Sequence, residues 1–252
     1  MKCFGLLACA LLVCCKGSED TPYVKIGGEI SPSTVTLLQN APPNVSKVVI
    51  TSTGGDTLAA IAAARIIKAR GYELVVQKYC LSACAQWLMP AAKTVKLEDM
   101  PIVGMHHTAT ALERILSDGG NKAEALRYSP IARVEQQFYD EIGVDRAMLE
   151  YPYSQTNPIC YWPSGTHFEN FAAFAAQWNF VALTKASFIS FTGKLPEGNW
   201  PETRDDLIKF GPKHFPSTAN ISIVPESGAP GSLNKLSGLV LPQCNANMRV
   251  PE

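Results

Sequence analysis

Short β-branched and apolar runs alternate with helix-length stretches along the first hundred residues, which leaves few folds open to this chain. Val24–Ile30 begins as an alternating strand and turns at Gly27-Gly28. Ser31–Gln39 follows as a helix, with Ser31 as cap and Pro32 at its first position. After the Pro/Asn loop Asn40–Ser46, the stretch Lys47–Ser52 carries Val48, Val49 and Ile50 as a second strand. Thr57–Arg70 is a helix capped by Asp56 and ended by Gly71, with Leu58, Ile61, Ala62 and Ile66 on one face. Glu73–Lys78 is the third strand, Ala83–Met89 a packed helix closed near Pro90, and Lys93–Leu97 and Pro101–His106 are two more strands. Strands separated by helices in this order predict an α/β fold of parallel βαβ units with helices outside.

Thr108–Asn121 has some helical pattern, Lys122–Ile142 reads as a long helix despite Pro130, and Val144–Glu150 as a short one. Beyond Tyr151 the chain turns rich in Pro, aromatic and polar residues. There Phe168–Asn179 reads as a helix, Gly193–Pro201 and Glu226–Gly231 as loops, and short strands are expected elsewhere. With 252 residues, 46% of them hydrophobic, the chain can bury a substantial core in one large domain, or in one domain with an appendage. Lys plus Arg and Asp plus Glu both number 22, so no charge excess points to nucleic acid or an anionic membrane.

Residues 1–17 have the form of an export signal: Lys2, then the apolar Phe4–Val13, then small residues at Cys15 and Gly17. A periplasmic or secreted location follows. A lipoprotein signal is the alternative, since Leu6-Leu7-Ala8-Cys9 and Leu12-Val13-Cys14-Cys15 loosely resemble that pattern, and membrane contact is expected only if the chain is lipidated. Cleavage near residue 17 leaves Cys80, Cys84, Cys160 and Cys244, which allow three pairings. Cys80 and Cys84 are close enough for a local bridge, the alternative being two small buried thiols. Asn44-Val45-Ser46 and Asn220-Ile221-Ser222 are glycosylation sequons, meaningful only in a eukaryotic secretory pathway.

The chemistry concentrates in Tyr79–Ala85, Tyr-Cys-Leu-Ser-Ala-Cys-Ala. Ser82 stands at a strand-to-helix turn, where it could serve only as a helix cap. The Gly54-Gly55 turn after the second strand and His106 at the end of a later strand change that reading. In a parallel sheet, turns leaving the carboxyl ends of strands gather along one edge. The backbone N–H groups of the glycine turn and of Ala83 would then form an oxyanion hole, with His106 as base for Ser82.

The run Val24–Ile30, Val48–Gly55, the Ala-rich helix to Arg70, Tyr79–Ala85 and Ile102–His106 resembles the ClpP/crotonase superfamily, in particular the Clp protease proteolytic subunit and its exported bacterial relatives. The resemblance covers roughly residues 22–165 and implies a spiral α/β fold, so that with the signal at 1–17 the chain divides into a ClpP/crotonase-like domain over 18–165 and an extension of unassigned role over 166–252. It implies serine peptidase chemistry on a peptide or protein substrate, with Ser82 as nucleophile, His106 as general base, and Gly55 and Ala83 as oxyanion donors. Clp-type subunits form rings, so a homo-oligomer is a further implication. No cofactor and no metal is expected.

The chain departs from the family at Thr53, where a proline usually precedes the Gly-Gly pair, and at His107, a second imidazole beside His106. The family's acidic third member should fall near Ser154–Trp162, which contains no carboxylate. Asn157 can orient a histidine but cannot stabilise its imidazolium as a carboxylate does. The expectation is therefore a Ser-His dyad or an atypical triad, with a degenerate binding or scaffold protein as the alternative. A zinc site built from Cys80, Cys84, His106 and His107 has spacings unlike common structural sites. Acyl-CoA chemistry of the crotonase branch conflicts with export and leaves Ser82 without a role.

Overall fold

Strand and helix alternate through the first hundred residues much as the apolar pattern predicts. A computed structural model describes residues 22–155, 180–203, 205–207, 209–210 and 223–225. In chain order the elements are β1 (Tyr23–Ile30), α1 (Pro32–Gln39), β2 (Lys47–Gly55), α2 (Thr57–Arg70) and β3 (Glu73–Leu81). A π-helical turn, Cys84–Leu88, runs into α3 (Met89–Ala91), and β4 (Thr94–Leu97) and β5 (Ile102–Met105) follow. Three helices come next: α4 (Ala109–Asp118), α5 (Lys122–Ile142) and α6 (Ala147–Gln155). The later elements are β6 (Phe180–Ala182), α7 (Lys185–Thr192), β7 (Glu197–Gly198) and β8 (Ile223–Pro225). The export signal, Asn157, Cys160, Cys244, the expected helix Phe168–Asn179, the loop Glu226–Gly231 and the sequon at Asn220 lie outside the described residues. No helix among the described residues is long and apolar enough to cross a membrane.

The expected α/β class is the one observed, with a sheet of order β1-β2-β3-β5-β6-β8. All its pairings are parallel except β5 with β6. Strand β3 forks: Glu73–Val76 pairs with β4, whereas Tyr79–Leu81 pairs with Ile102–Gly104 of β5. This second partner explains why β3 extends past the expected end at Lys78 to Leu81. Three short strands from the later part of the chain enter the same sheet. β6 joins β5, β8 joins β6, and β7, inside the stretch expected as the loop Gly193–Pro201, adds to β4.

Two local expectations are corrected. The first strand does not turn at Gly27-Gly28. Gly28, at φ +81°, takes up a register shift between Gly28 and Glu29, and the strand resumes pairing, Glu29 with Gly54 and Ile30 with Gly55. The buried face of α2 is also rotated from the expected one, of which only Ile61 is fully buried. Asp56 caps the helix by accepting from Ala59 N at 2.6 Å, as predicted, but Ala59, Ala60, Ile61, Ala63, Ala64 and Ile67 face the core. Leu58 is 50% exposed. Small alanines let the helix lie close to its neighbours, and Ile61 and Ile67 fill the remaining space.

The main core joins β1–β3, α2, the π-helical turn and the face of α5 carrying Phe138 and Tyr139. A satellite cluster of Ala111, Leu112, Ile115, Leu116, Ala125 and Tyr128 holds α4 against α5. Because only the Ala/Ile face of α2 is buried, Ile61→Ala should cost about 2–5 kcal/mol. Leu58→Ala should stay within roughly 0.5 kcal/mol of wild type. Denaturant melts of the two variants check this, and equal losses would contradict the assignment of the face.

Candidate active site

Ser82 follows directly on β3, at the point where that strand leaves the sheet. Its φ is +50°, a left-handed conformation that a residue with a Cβ adopts only when its surroundings enforce it. Three contacts do so. Ser82 N donates to the Gly104 carbonyl of β5 at 2.8 Å, and its own carbonyl accepts from Gln86 N at 2.9 Å. Cys80 and Cys84, both fully buried, are joined in a disulfide across the turn, with Cα atoms 5.2 Å apart. Of the two states open to these cysteines on sequence, the bridge is the one formed.

The segment after Ser82 is not the α-helix expected over Ala83–Met89. Met89 N donates to the Cys84 carbonyl, five residues back. Pro90 has no N–H to give the Gln86 carbonyl, the bond an α-helix would make there. That carbonyl accepts instead from the Tyr139 hydroxyl at 2.8 Å. Trp87 from the same turn packs edge-on against Phe138 and Tyr139.

Gly54 closes the other side. A Cβ at this position would lie 2.5 Å from Ser82 Cβ, 2.8 Å from the Leu81 carbonyl oxygen and 3.0 Å from Ala83 N. Only a glycine lets β2 approach the turn this closely. The buried Ser52 hydroxyl fixes the loop by donating to the Gly28 carbonyl at 2.7 Å and accepting from Gly54 N at 3.1 Å. Gly55, an expected oxyanion donor, is pressed against Ile30 of β1: an added Cβ would fall 2.2 Å from the Ile30 carbonyl oxygen. The sequence-predicted residues Ser82, Ala83, Cys80, Cys84 and the Gly54-Gly55 turn are thus gathered at one end of the sheet. His106 joins them from the end of β5.

His106 Nε2 lies 2.5 Å from Ser82 Oγ. The ring meets Phe180 of β6 edge-on at 5.3 Å and His107 at 4.7 Å. Its backbone is held as well, since Gln86 Nε2 donates to the His106 carbonyl at 2.5 Å. Although His106 as a whole is partly exposed, burial of its ring pushes the pKa down to about 4, against a smaller upward pull from the His107 backbone. Burial and the neighbouring His106 hold His107 well below the usual imidazole value too. Both rings are therefore neutral at pH 7. The disulfide removes Cys80 and Cys84 as thiolate ligands. Among the described residues no group of three or more His, Cys, Asp or Glu is arranged to hold a metal ion.

Sequence reasoning missed Ser52, Gln86 and Phe180. Gln86 had a signal, an amide within an otherwise apolar run from Ala83 to Met89. Phe180 had none, since it is brought to the site by an antiparallel pairing across a long span of chain.

No protein-family model matches the chain, and no curated protein matches it. Among solved structures it is similar to a point mutant of ClpP1 from Listeria monocytogenes, with 19% identity over 49% of this chain and 72% of that one, and a TM-score of 0.35.

Gly54→Ala should destabilise the protein by about 1–3 kcal/mol, because the new methyl overlaps Ser82 and φ is +97°. Gly27→Ala, where a Cβ meets nothing within 4 Å, is the matched control and should stay near wild type. Denaturant melts of both variants measure the difference, and a neutral Gly54→Ala would contradict the close approach.

Proposed function

We propose that the protein is a serine hydrolase of peptidase type, with Ser82 as nucleophile and His106 as general base. The observation that carries this reading is the 2.5 Å contact from Ser82 Oγ to His106 Nε2, made by a serine held at φ +50°. A hydroxyl is a poor nucleophile at neutral pH unless a base takes its proton as it attacks. In the proposed first step Ser82 Oγ bonds to a carbonyl carbon of a peptide or protein substrate, and its proton passes to His106 Nε2. The tetrahedral oxyanion is met by the N–H groups of Gly55 and Ala83. The Gly54 carbonyl lies 3.4 Å from Ser52 Oγ, and a trans peptide sends the Gly55 N–H the opposite way. The intermediate collapses, the amine leaves with the proton from His106, and water releases the acyl group by the same steps.

A base with a pKa of about 4 accepts a proton less readily than one matched to neutral pH, so turnover is expected to be slower than with a full acidic triad. The absence of any carboxylate in Ser154–Trp162 favours a second reading, a binding or scaffold protein that keeps the site without turnover. A Cys80–Cys84 bridge suits an oxidising compartment and supports export, with mature protein starting at or just before Ser18. Intact-mass analysis of exported protein tests this: retention of residues 1–17 contradicts cleavage, and a diacylglyceryl cysteine points to the lipoprotein form.

A serine-directed phosphonate should label Ser82 covalently. Ser82→Ala and His106→Ala should each abolish turnover, and their losses should not add in the double variant. His107→Ala should be milder, and a reversed ranking would assign the base to His107. Folded wild-type protein that stays unlabelled, under conditions that label a known serine hydrolase, overturns the hydrolase reading in favour of the scaffold.

A further inference from the structure

The helix α5 presents two polar side chains one turn apart, Glu135 and Tyr139, both buried on the same face. A charged side chain is seldom placed in a core without a partner set that needs it there. Glu135 has such a set. One carboxylate oxygen accepts from Ala109 N at 3.1 Å, and the other accepts from Thr110 N at 2.8 Å and Thr110 Oγ1 at 2.7 Å. These are first-turn donors of α4, which an α-helix cannot satisfy internally. The helix begins three residues after His106, so Glu135 anchors one end of the segment His106–Thr110. Thr108, between them, accepts from Ala111 N at 3.1 Å and donates to the Leu149 carbonyl at 2.8 Å. Tyr139 anchors the other end: its hydroxyl holds the Gln86 carbonyl at 2.8 Å, and the Gln86 amide holds the His106 carbonyl at 2.5 Å.

We propose that Glu135, with Tyr139 beside it, is a positioning residue that fixes the general base His106 against Ser82 from behind. This rests on the serine hydrolase reading for its catalytic consequence, while the clamp itself is independent of turnover. The ionised carboxylate is the working form, because a protonated one would turn an acceptor oxygen into a donor facing N–H groups. Burial, joined by repulsion from Glu113 of α4, pushes the Glu135 pKa up to about 7, against the pull of the Thr110 and Ala109 donors. Besides Glu113, the titratable group coupled to it is Tyr139 on its own helix, which stays neutral. Protonation near neutrality would therefore loosen the start of α4 while His106 is still unprotonated. The acid limb of activity should fall near pH 7, well above the value of His106 itself.

The test compares wild type with Glu135→Gln and Tyr139→Phe. Glu135→Gln keeps the shape and one acceptor oxygen but cannot ionise, and it sets an amide N–H against a backbone N–H. Its kcat, counted per phosphonate-titrated site, should drop by roughly 10- to 100-fold with KM little changed, as expected for a displaced catalytic group. The limb near pH 7 should vanish, leaving the one set by His106. Tyr139→Phe should lower kcat while keeping the limb near pH 7. The readout free of turnover is the His106 ring resonance in histidine-labelled protein, assigned by its loss in His106→Ala. It should shift through pH 7 in wild type and not in Glu135→Gln. An unchanged pH response of that resonance in Glu135→Gln overturns the clamp, even if the variant melts at a lower temperature. Wild-type protein that shows the resonance shift but resists phosphonate defeats the hydrolase reading and leaves the clamp standing.

Discussion

The close approach of Gly54 to the Leu81–Ala83 turn is the constraint on which the site depends. With 2.5 Å between Ser82 Cβ and the place a Cβ would occupy, β2 and the end of β3 meet where no side chain fits between them. That contact makes the left-handed Ser82 backbone tenable. It also brings Ala83 N beside the glycine turn, and the Ser82 hydroxyl meets the His106 ring delivered by β5. Ser52 holds the glycine side and the Cys80–Cys84 bridge the serine side. A four-residue separation closes a small loop, so the bridge contributes little through chain entropy and acts chiefly on local geometry.

Gln86 links the two halves of the candidate machinery. Its backbone N–H closes the turn on Ser82, its amide holds the His106 carbonyl, and its carbonyl is held by Tyr139. Pro90 cannot donate where the Gln86 carbonyl would need it in an α-helix, which frees that carbonyl for Tyr139 of α5. Burial leaves the imidazole neutral, ready to accept a proton yet reluctant to keep it.

Much of this was legible in the sequence because it is local. The Val-rich strands, the Asp56 cap, the Pro32 helix start and the Gly71 stop each carry their signal within a few residues, and so did Ser82 between its cysteines. The fork in β3 was not legible. Tyr79–Leu81 looks like a turn until β5 pairs with it, and pairing between separated segments leaves no local trace. The face of α2 was misread because leucine was weighed by hydrophobicity, whereas the helix is seated by how closely its alanines pack. Glu135 was hidden for a similar reason. On a polar-rich helix one glutamate resembles its exposed neighbours, and only the arrival of α4 sets it apart.

The antiparallel seating of β6 beside β5 has a consequence in time. Gly104 pairs with Ala182, and Phe180 packs edge-on against the His106 ring, so part of the wall around that ring comes from residues almost eighty positions later in the chain. During synthesis the serine, the histidine and the glycine turn all emerge before that wall exists. If the earlier part folds ahead of that strand, Ser82 and His106 lie in a more open, wetter setting, and the low-pKa environment of the imidazole is completed only once the distal strand has docked.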